Sequence, residues 1–225
     1  MGLGFGVFFQ QLPGFIDVLL HAAVMTIVVT LCASLMATFF GIVFLFPRLS
    51  ASRPLRAVAI AYVELARAVP MLTLLFIIYF GMPQVGLRLD PLSAAVIAFG
   101  IHGGGYLVEI FRSAIEAINK GQLEAGLAIG MTRFQALRII VLPQAARIGL
   151  PPYCNYAIQL LKDSSLASTI SVPELMMQTR LIANATYLTI ELYVFVALIY
   201  LVMSLPLSYG ALWLQTKLSA QHRTP

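Results

Sequence analysis

Two adjacent charged residues, Lys162 and Asp163, lie in a mostly apolar part of this chain and are followed directly by Ser164 and Ser165. Charged side chains at membrane depth are costly, and they usually face the protein interior or a water-filled cavity. Neighbouring residues of a helix point about 100° apart, so the two charges need not pair with each other. The pattern fits the lining of a polar path through the membrane. A buried ion pair with other helices is the structural alternative.

Three further polar residues fall within apolar stretches. Glu64 and Arg67 stand three positions apart, a spacing that favours an ion pair within the helix or at a subunit interface. A gate or a contact with solute is the other interpretation of this pair. His102 is followed by three glycines, which allow close helix packing, and it is either a packing residue or a solute contact.

The sequence lacks the motifs of enzymatic chemistry. It has no phosphate-binding loop of the form G-x-x-x-x-G-K-S/T and no G-x-S-x-G nucleophile motif. The histidines and cysteines are far apart in the sequence; they are His21, His102, His222, Cys32 and Cys154. We therefore expect no catalysis, no metal and no cofactor in this chain. A structural disulfide is also not expected, because both cysteines lie inside apolar stretches.

Composition indicates a membrane protein. The 225 residues are 60% hydrophobic and 10% charged, whereas soluble domains carry roughly 25% charged residues. The net charge of +5 comes from basic residues scattered between apolar blocks, which is typical of membrane topology and not of a nucleic-acid-binding patch. No basic residue precedes the first apolar block, so no cleaved signal peptide is expected. We predict a single all-α integral membrane domain.

Uncharged runs indicate where the chain crosses the bilayer, since a spanning helix needs about 20 mostly apolar residues. They predict five spans, at about residues 18–46, 57–80, 91–112, 148–170 and 190–216. The fourth span reaches full length only if Lys162 and Asp163 enter the membrane. Residues 171–185 are too polar to span and predict an amphipathic helix at the outer face. The acidic residues expected to be solvated or interfacial near that face are Asp17, Glu174 and Glu191.

Basic residues predict the orientation. With the N-terminus outside, only Arg88 and Arg180 face out, which is a clear positive-inside bias. The cytoplasmic or juxtamembrane cations are then Arg48, Arg53, Arg56, Arg112, Lys120, Arg133, Arg138, Arg147, Lys217 and Arg223. This topology makes the C-terminus and the loop 121–143 cytoplasmic.

The loop 121–143 is rich in small residues and charges. Small side chains at positions 125, 126, 128 and 130 give a narrow helix surface that fits a groove on another protein. Gly130 can adopt the left-handed conformation that ends a helix, and Thr132 and Gln135 have the spacing of a capping box. Local chemistry therefore predicts a helix, a glycine turn and a second short helix that runs to Pro143.

This loop resembles the EAA loop of ABC importer permeases, written as E-A-A, three residues, G, nine residues, I, one residue, L-P. The residues on the required spacing are Glu124, Ala125, Gly130, Ile140, Leu142 and Pro143. Gly126 is the one departure, at a position where alanine is usual. Glu124 is expected near the N-terminus of the first helix, where it would either complement the helix dipole or bond to a partner ATPase.

The resemblance covers nearly the whole chain and narrows to type I permeases for polar amino acids of the histidine, glutamine, arginine, glutamate and cystine kind. The other matching residues are Glu64, Arg67, Pro70, Tyr79, Phe80, Gly81, Pro83, Tyr106, Glu109, Arg112, Ile115, Lys120 and Gly121, and the nearly continuous segment 142–175. Departures from the family pattern occur at Ala68, Val69 and Leu74 and at residues 102–104.

The resemblance implies the type I importer permease fold and a place in the bacterial inner membrane. Implied partners are an ABC ATPase dimer that binds ATP and Mg, a second permease that is identical or homologous, a periplasmic or lipid-anchored solute-binding protein, a polar amino acid and membrane lipid; no nucleic acid is expected. The implied ATPase contacts are Glu124, Ala125, Gly126, Gly130 and Arg133. The residues expected along the solute path are Lys162, Asp163, Ser164, Ser165, His102, Glu64 and Arg67.

Two other classes of protein compete with this interpretation. A self-contained secondary transporter or channel is disfavoured by five spans, by the lack of an inverted repeat and by a docking loop that such a protein does not need. An integral membrane enzyme lacks candidate residues. The sequence leaves open which amino acid is carried and whether the second permease is a copy of this chain.

Overall fold

A computed structural model describes the backbone of residues 5–220 and their side chains, except those of residue 214 and residues 217–220. Regular structure in this range is entirely helical, which confirms the all-α prediction. The α-helices are α1 (Phe5–Arg48), α2 (Arg53–Ala68), α3 (Met71–Phe76), α4 (Pro91–Glu116), α5 (Lys120–Ala128), α6 (Arg133–Ala136), α7 (Leu142–Asp163), α8 (Leu175–Thr186) and α9 (Thr189–Ala220). Arg223 lies outside the described residues, as does the side chain of Lys217.

The chain folds into two compact units, each built from several separate segments. The first comprises Met1–Leu35, Pro70–Phe99 and Ala157–Leu207, and the second comprises Met36–Val69, Gly100–Tyr156 and Ser208–Pro225. The helices α1, α4, α7 and α9 contribute residues to both units. The loop 121–143, the predicted coupling loop, lies wholly in the second unit, whereas Lys162 and the three residues that follow it lie in the first.

Three helices in the described range are long and apolar enough to cross a membrane by themselves: α1, α4 and the Thr189–Trp213 part of α9. They include the predicted spans 18–46 and 91–112 and most of 190–216. The predicted span 148–170 is not among them, since α7 is not apolar enough: besides Arg147, Lys162 and Asp163 it contains Gln144, Asn155 and Gln159. Its helix ends at Asp163 and continues as a 3₁₀ segment, Ser164–Ile170.

The predicted span 57–80 is wrong as a single helix. Helix α2 ends at Ala68, Val69 is extended with φ −81° and ψ 126°, and α3 begins only at Met71. Pro70 explains the break, because a proline disfavours helical backbone at the residue before it and lacks an amide proton. If the interrupted pair counts as one crossing, the number of candidate spans in the described residues rises to four.

Helix α4 packs closely in the second unit because glycines line its buried face. A Cβ atom on Gly104 would meet the hydroxyl of Tyr62 and the Cβ of Phe40, and one on Gly105 would lie 2.6 Å from the Cβ of Ala66. The hydroxyl of Tyr62 donates a 2.7 Å hydrogen bond to the carbonyl of Ile101, across the same contact. The expectation that glycines after His102 permit close helix approach is therefore confirmed.

The first unit has its own core and an unexpected buried acid. The core residues come from α1, α8 and α9 and the short connection between the last two; they are Phe8, Phe15, Leu19, Ala22, Ala23, Leu175, Ala183, Leu188, Leu192 and Val196. Helix α8 confirms a helix in the segment 171–185. Glu174 and Glu191 are not solvated, because their exposed fractions are 0% and 7%, and an interfacial position near the outer face stays a prediction. Asp17 is exposed, as expected.

Candidate functional site

The loop before α7 folds as a helix, a glycine turn and a second helix. At the end of α5 the amide of Gly130 donates to the carbonyl of Leu127 at 3.0 Å, and the amide of Met131 donates to the carbonyl of Gly126 at 3.1 Å. These two bonds form a Schellman motif, which satisfies carbonyl groups that the helix leaves unpaired at its end. Gly130 has φ +85°, so the predicted left-handed glycine is confirmed.

The second helix begins with the predicted capping box. The amide of Gln135 donates to the hydroxyl of Thr132 at 3.3 Å, and the amide of Thr132 donates to the side-chain oxygen of Gln135 at 2.8 Å. The prediction that this helix ends at Pro143 is wrong. A π-helical segment, Leu137–Val141, carries it directly into α7. The wider π turn accommodates a proline ring that would otherwise press on the preceding turn.

Glu124 is an exposed acid on α5. It is the fifth residue of that helix, past the first turn where a carboxylate complements the dipole, and Asn119 already caps the helix by accepting from the amide of Gly121 at 2.8 Å. Within the described residues Glu124 has no hydrogen-bond or ion-pair partner. The expectation that it sits near the helix N-terminus is therefore wrong, and its carboxylate is available to another protein.

The surface around the turn is partly apolar. Ile129 and Phe134, on either side of Gly130, are 75% and 71% exposed. Ala125, Gly130 and Arg133 are exposed as well, so four of the five residues predicted to contact an ATPase are accessible. The fifth, Gly126, is buried. The family pattern did not identify Ile129 and Phe134, although their signal was in the sequence, as large apolar residues flanking a turn glycine.

Gly126 packs within the loop itself. A Cβ atom there would lie 2.9 Å from the Cδ1 of Ile140 and 3.0 Å from the Cβ of Ala136. The departure from alanine at this position therefore has a local explanation, because the glycine lets the next helix approach α5. We assign Gly126 a packing contribution to the shape of the loop.

Lys162 and Ser165 line a cavity of about 430 Å³ in the first unit. Lys162 is exposed, and among the described residues no ion pair involves it. The rest of the lining comes from α8 and α9 and consists of Met176, Tyr193, Val196, Ala197, Tyr200, Leu201 and Ser204. The cavity therefore combines one cation and several hydroxyl groups with apolar walls.

Asp163 and Ser164 make other contacts. The carboxylate of Asp163 accepts a 3.0 Å hydrogen bond from the amide of Gln159, one helical turn earlier, and does not pair with Lys162. Ser164 is fully buried, and its hydroxyl donates to the carbonyl of Leu161 at 2.7 Å. Of the four adjacent residues predicted to line a path, two line this cavity and two make intrahelical bonds.

Tyr106 connects the polar residues predicted in the second unit. The guanidinium carbon of Arg67 lies 5.4 Å from the centre of the Tyr106 ring, and the His102 ring centre lies 5.3 Å from it. The Nδ1 atom of His102 is buried and has no hydrogen-bond partner among the described residues. Glu64 is exposed and forms no ion pair with Arg67 in the described range, so the intrahelical form of the predicted pair is wrong and a pair at a subunit interface stays a prediction. Arg67 instead makes a cation–π contact.

A set of ion pairs in the second unit joins α1 to α4. Arg48 Nε donates to Glu109 Oε1 at 2.9 Å, and Arg112 donates to Glu109 Oε2 at 2.7 Å. Arg112 also pairs with Glu116 on its own helix. Sequence reasoning matched Glu109 and Arg112 to a family pattern without finding this contact, because Arg48 is distant in the chain.

Replacing Glu109 with Gln should lower the melting temperature of the purified protein. Arg48 would lose its charged partner at a site where the side chains are only about a fifth exposed, at 21% and 22%. Charge-assisted hydrogen bonds contribute about 1.5–3 kcal/mol. Glu116→Gln is the matched control, because that carboxylate is 55% exposed and should matter by less than about 1 kcal/mol. Equal melting of the two variants would contradict the assignment.

Comparison with known proteins agrees with this geometry. Residues 37–220 match the family described as "Binding-protein-dependent transport system inner membrane component". The chain is 37% identical over 197 residues to the probable glutamine ABC transporter permease protein GlnM of Bacillus subtilis (strain 168), covering 86% of this chain and 91% of that protein. It is 40% identical over 184 residues to the L-cystine transport system permease protein TcyB of the same organism, covering 81% and 79%.

A solved structure shares the fold. A chain in the crystal structure of an amino acid ABC transporter with histidines aligns with a TM-score of 0.87 and 32% identity, covering 93% of this chain and 98% of that one. Sequence and fold therefore agree over most of the chain. The protein belongs to the family of inner membrane components of binding-protein-dependent transport systems, as a multi-pass ABC importer permease.

Proposed function

We propose that this chain imports a polar amino acid across the bacterial inner membrane as the permease subunit of an ABC importer. The similar proteins are named for glutamine and L-cystine transport, and the similar structure is an amino acid transporter. A zwitterionic solute suits a cavity that offers a cation and hydroxyl groups. The proposed assembly contains an ABC ATPase dimer, a second permease and an external solute-binding protein.

The exposed turn between α5 and α6 carries the coupling part of the proposal. Ile129 and Phe134 expose large apolar surfaces beside the exposed charges of Glu124 and Arg133. Exposed apolar side chains rimmed by charges are typical of docking surfaces. We assign this turn to a groove on the ATPase, which binds ATP and Mg in its own chain.

The proposed orientation follows from the basic residues. An N-terminus outside and a C-terminus in the cytoplasm place the turn on the side where ATP is available. ATP closes the ATPase dimer and draws the coupling helices of the two permeases together. The solute path between the two permeases then changes from inward-facing to outward-facing. The external face, towards the predicted position of α8, receives the solute-binding protein.

The cavity beside Lys162 is the proposed solute contact in the first unit. Its volume of about 430 Å³ lies within the range of about 300–1,000 Å³ that ligand pockets occupy. Lys162 supplies a donor for the solute carboxylate, and Ser165 supplies a hydroxyl. The contributions of Asp163, His102, Glu64 and Arg67 to the path remain predictions.

Reconstitution tests the proposed function. Proteoliposomes containing the permease, its ATPase and the solute-binding protein should accumulate a radiolabelled amino acid only when ATP is present. A panel that includes L-glutamine and L-cystine identifies the solute. Uptake by the permease alone would overturn the proposal and favour a self-contained secondary transporter or channel.

Lys162→Met should reduce ATP-driven uptake by about tenfold or more, since it removes the cation from the cavity. Melting should be unchanged, because Lys162 has no ion pair to lose within the described residues. Lys162→Arg keeps the positive charge and should retain most uptake. Normal uptake by Lys162→Met would remove Lys162 from the path.

A further inference from the structure

A carboxylate that is completely buried lies next to the cavity. Glu174 has an exposed fraction of 0% and sits at the N-terminus of α8. Its Oε1 accepts from the amide of Met177 at 2.8 Å, and its Oε2 accepts from the amide of Met176 at 3.0 Å. These two bonds cap the helix. They also occupy both oxygens as acceptors, which a buried carboxylate requires to offset the loss of water.

A third bond is not explained by capping. The hydroxyl of Tyr200, on α9, lies 3.1 Å from Oε2 of Glu174. A tyrosine hydroxyl has one proton to give, and an ionised carboxylate has none. Tyr200 therefore donates its proton to Glu174. Towards any other group, the Tyr200 oxygen can then act only as a hydrogen-bond acceptor.

Tyr200 also lines the cavity that contains Lys162. Among the described residues of that lining, Lys162 is the one charged side chain and none is a carboxylate. A lysine ammonium only donates hydrogen bonds, so it suits the solute carboxylate. The ammonium of an amino acid needs an acceptor, which must then come from a hydroxyl oxygen. The Tyr200 oxygen is held as an acceptor, because its proton is donated to Glu174. The Thr26 hydroxyl also bonds to this oxygen, whose remaining acceptor capacity faces the solute.

We propose that Glu174 is a positioning residue that holds Tyr200 as a hydrogen-bond acceptor and so makes the cavity select solutes with a protonated amine. The inference rests on the proposed function, since it takes the cavity to be a solute contact. Glu174 itself never touches the solute. Its negative charge, buried behind Tyr200, adds to the attraction for a cation in a region of low dielectric constant.

Two substitutions separate this function from simple helix capping. Glu174→Gln removes the buried charge and leaves one oxygen to accept at the helix N-terminus. Where the amide NH₂ takes the place of Oε2, the bond from the amide of Met176 is lost and the NH₂ donates to Tyr200, so the tyrosine proton turns towards the cavity. Tyr200→Phe removes the hydroxyl and keeps the ring. Thr179→Val is the matched control. The Thr179 hydroxyl is fully buried on the same helix and donates to the carbonyl of Leu175 at 2.6 Å, and Thr179 does not line the cavity.

The measurement is direct binding to the permease–ATPase complex in nanodiscs without the solute-binding protein, whose own selectivity would mask the effect. The probes are L-glutamine, L-arginine and L-glutamate, each paired with its des-amino analogue, which keeps the carboxylate and the side-chain functional group but lacks the ammonium. Burial raises the pKa of Glu174, and its hydrogen bonds oppose that rise. Measurement at about pH 8 favours the ionised form of Glu174 more than measurement at lower pH does.

The wild-type complex should bind at least one amino acid about tenfold or more tightly than its des-amino analogue. Glu174→Gln and Tyr200→Phe should bring this ratio close to one, and Thr179→Val should leave it unchanged. A wild-type ratio in either of the first two variants would overturn the inference, even if their melting temperatures fall, because it would leave Glu174 as a helix cap only.

Lys162→Met distinguishes a failure of the Glu174 inference from a failure of the proposed solute cavity. If it weakens binding of amino acid and analogue alike while Glu174→Gln leaves the ratio intact, the inference fails and the proposed solute cavity stands. If it changes neither affinity, or if the wild-type complex binds no probe, the cavity is not the solute contact. The inference then fails with that part of the proposed function.

Discussion

Gly130→Val should abolish ATP-driven uptake and the stimulation of the ATPase by solute, while the protein still inserts into the membrane. Gly130 has φ +85°, and a side chain in this left-handed region costs about 1–2 kcal/mol, with more strain for a β-branched residue. The chain relieves that strain by abandoning the Schellman turn. Ile129 and Phe134 then no longer present their surfaces together. Uptake, ATPase rate and co-purification of the ATPase are the measurements.

A second glycine provides the matched control. Gly86 has φ +86°, and a Cβ atom there, as at Gly130, would have no neighbour within 4 Å. Gly86→Val therefore imposes the same backbone strain outside the coupling loop. It should leave ATPase association and uptake near normal. Equal loss in both variants would show that strain in general is harmful, and normal uptake by Gly130→Val would remove the coupling function from this turn.

Gly105→Ala should lower the melting temperature by about 2–12 °C. The new Cβ atom would lie 2.6 Å from the Cβ of Ala66, and neither atom has a rotamer through which to withdraw. Overpacking of this kind costs about 1–3 kcal/mol, and each kcal/mol corresponds to about 2–4 °C for a chain of this size. Thermal melting of the purified protein in detergent is the measurement.

Two variants identify the cause. Gly210→Ala makes the same chemical change within α9, where no atom lies within 4 Å of the added Cβ, and it should be neutral or slightly stabilising. Ala66→Gly, combined with Gly105→Ala, removes the collision and should recover part of the lost stability. A double variant that melts no higher than Gly105→Ala would show that the contact with Ala66 is not responsible.

The coupling loop shows how much of this protein could be predicted from neighbouring residues. Gly130 in a left-handed turn and the Thr132–Gln135 capping box were both predicted correctly. Each depends on hydrogen bonds between residues within five positions of each other, so the sequence contains both partners. The same holds for the all-α class and for the long apolar helices, which follow from composition and from the length needed to cross a bilayer.

The wrong helix boundaries came from local signals that were overridden. Pro70 ends α2 and starts a new helix, although the apolar run alone predicted one span through it. Pro143, in contrast, does not end its helix, because a π turn absorbs the disturbance. A proline indicates that the helix is perturbed, and only the surrounding packing decides whether it breaks or adjusts.

The partners of the polar residues were decided by the tertiary structure. The sequence by itself determined that Glu174 is an acid near an apolar stretch, and a position near the outer face was the natural expectation. The side chain is nevertheless buried and not solvated, since Thr26 and Tyr200 bring their hydroxyls to the carboxylate from helices 148 and 26 positions away in the chain. Arg67 likewise meets Tyr106 and not the nearer Glu64. Free energy of burial depends on which groups the folded chain places within hydrogen-bond distance, and sequence separation carries no information about that.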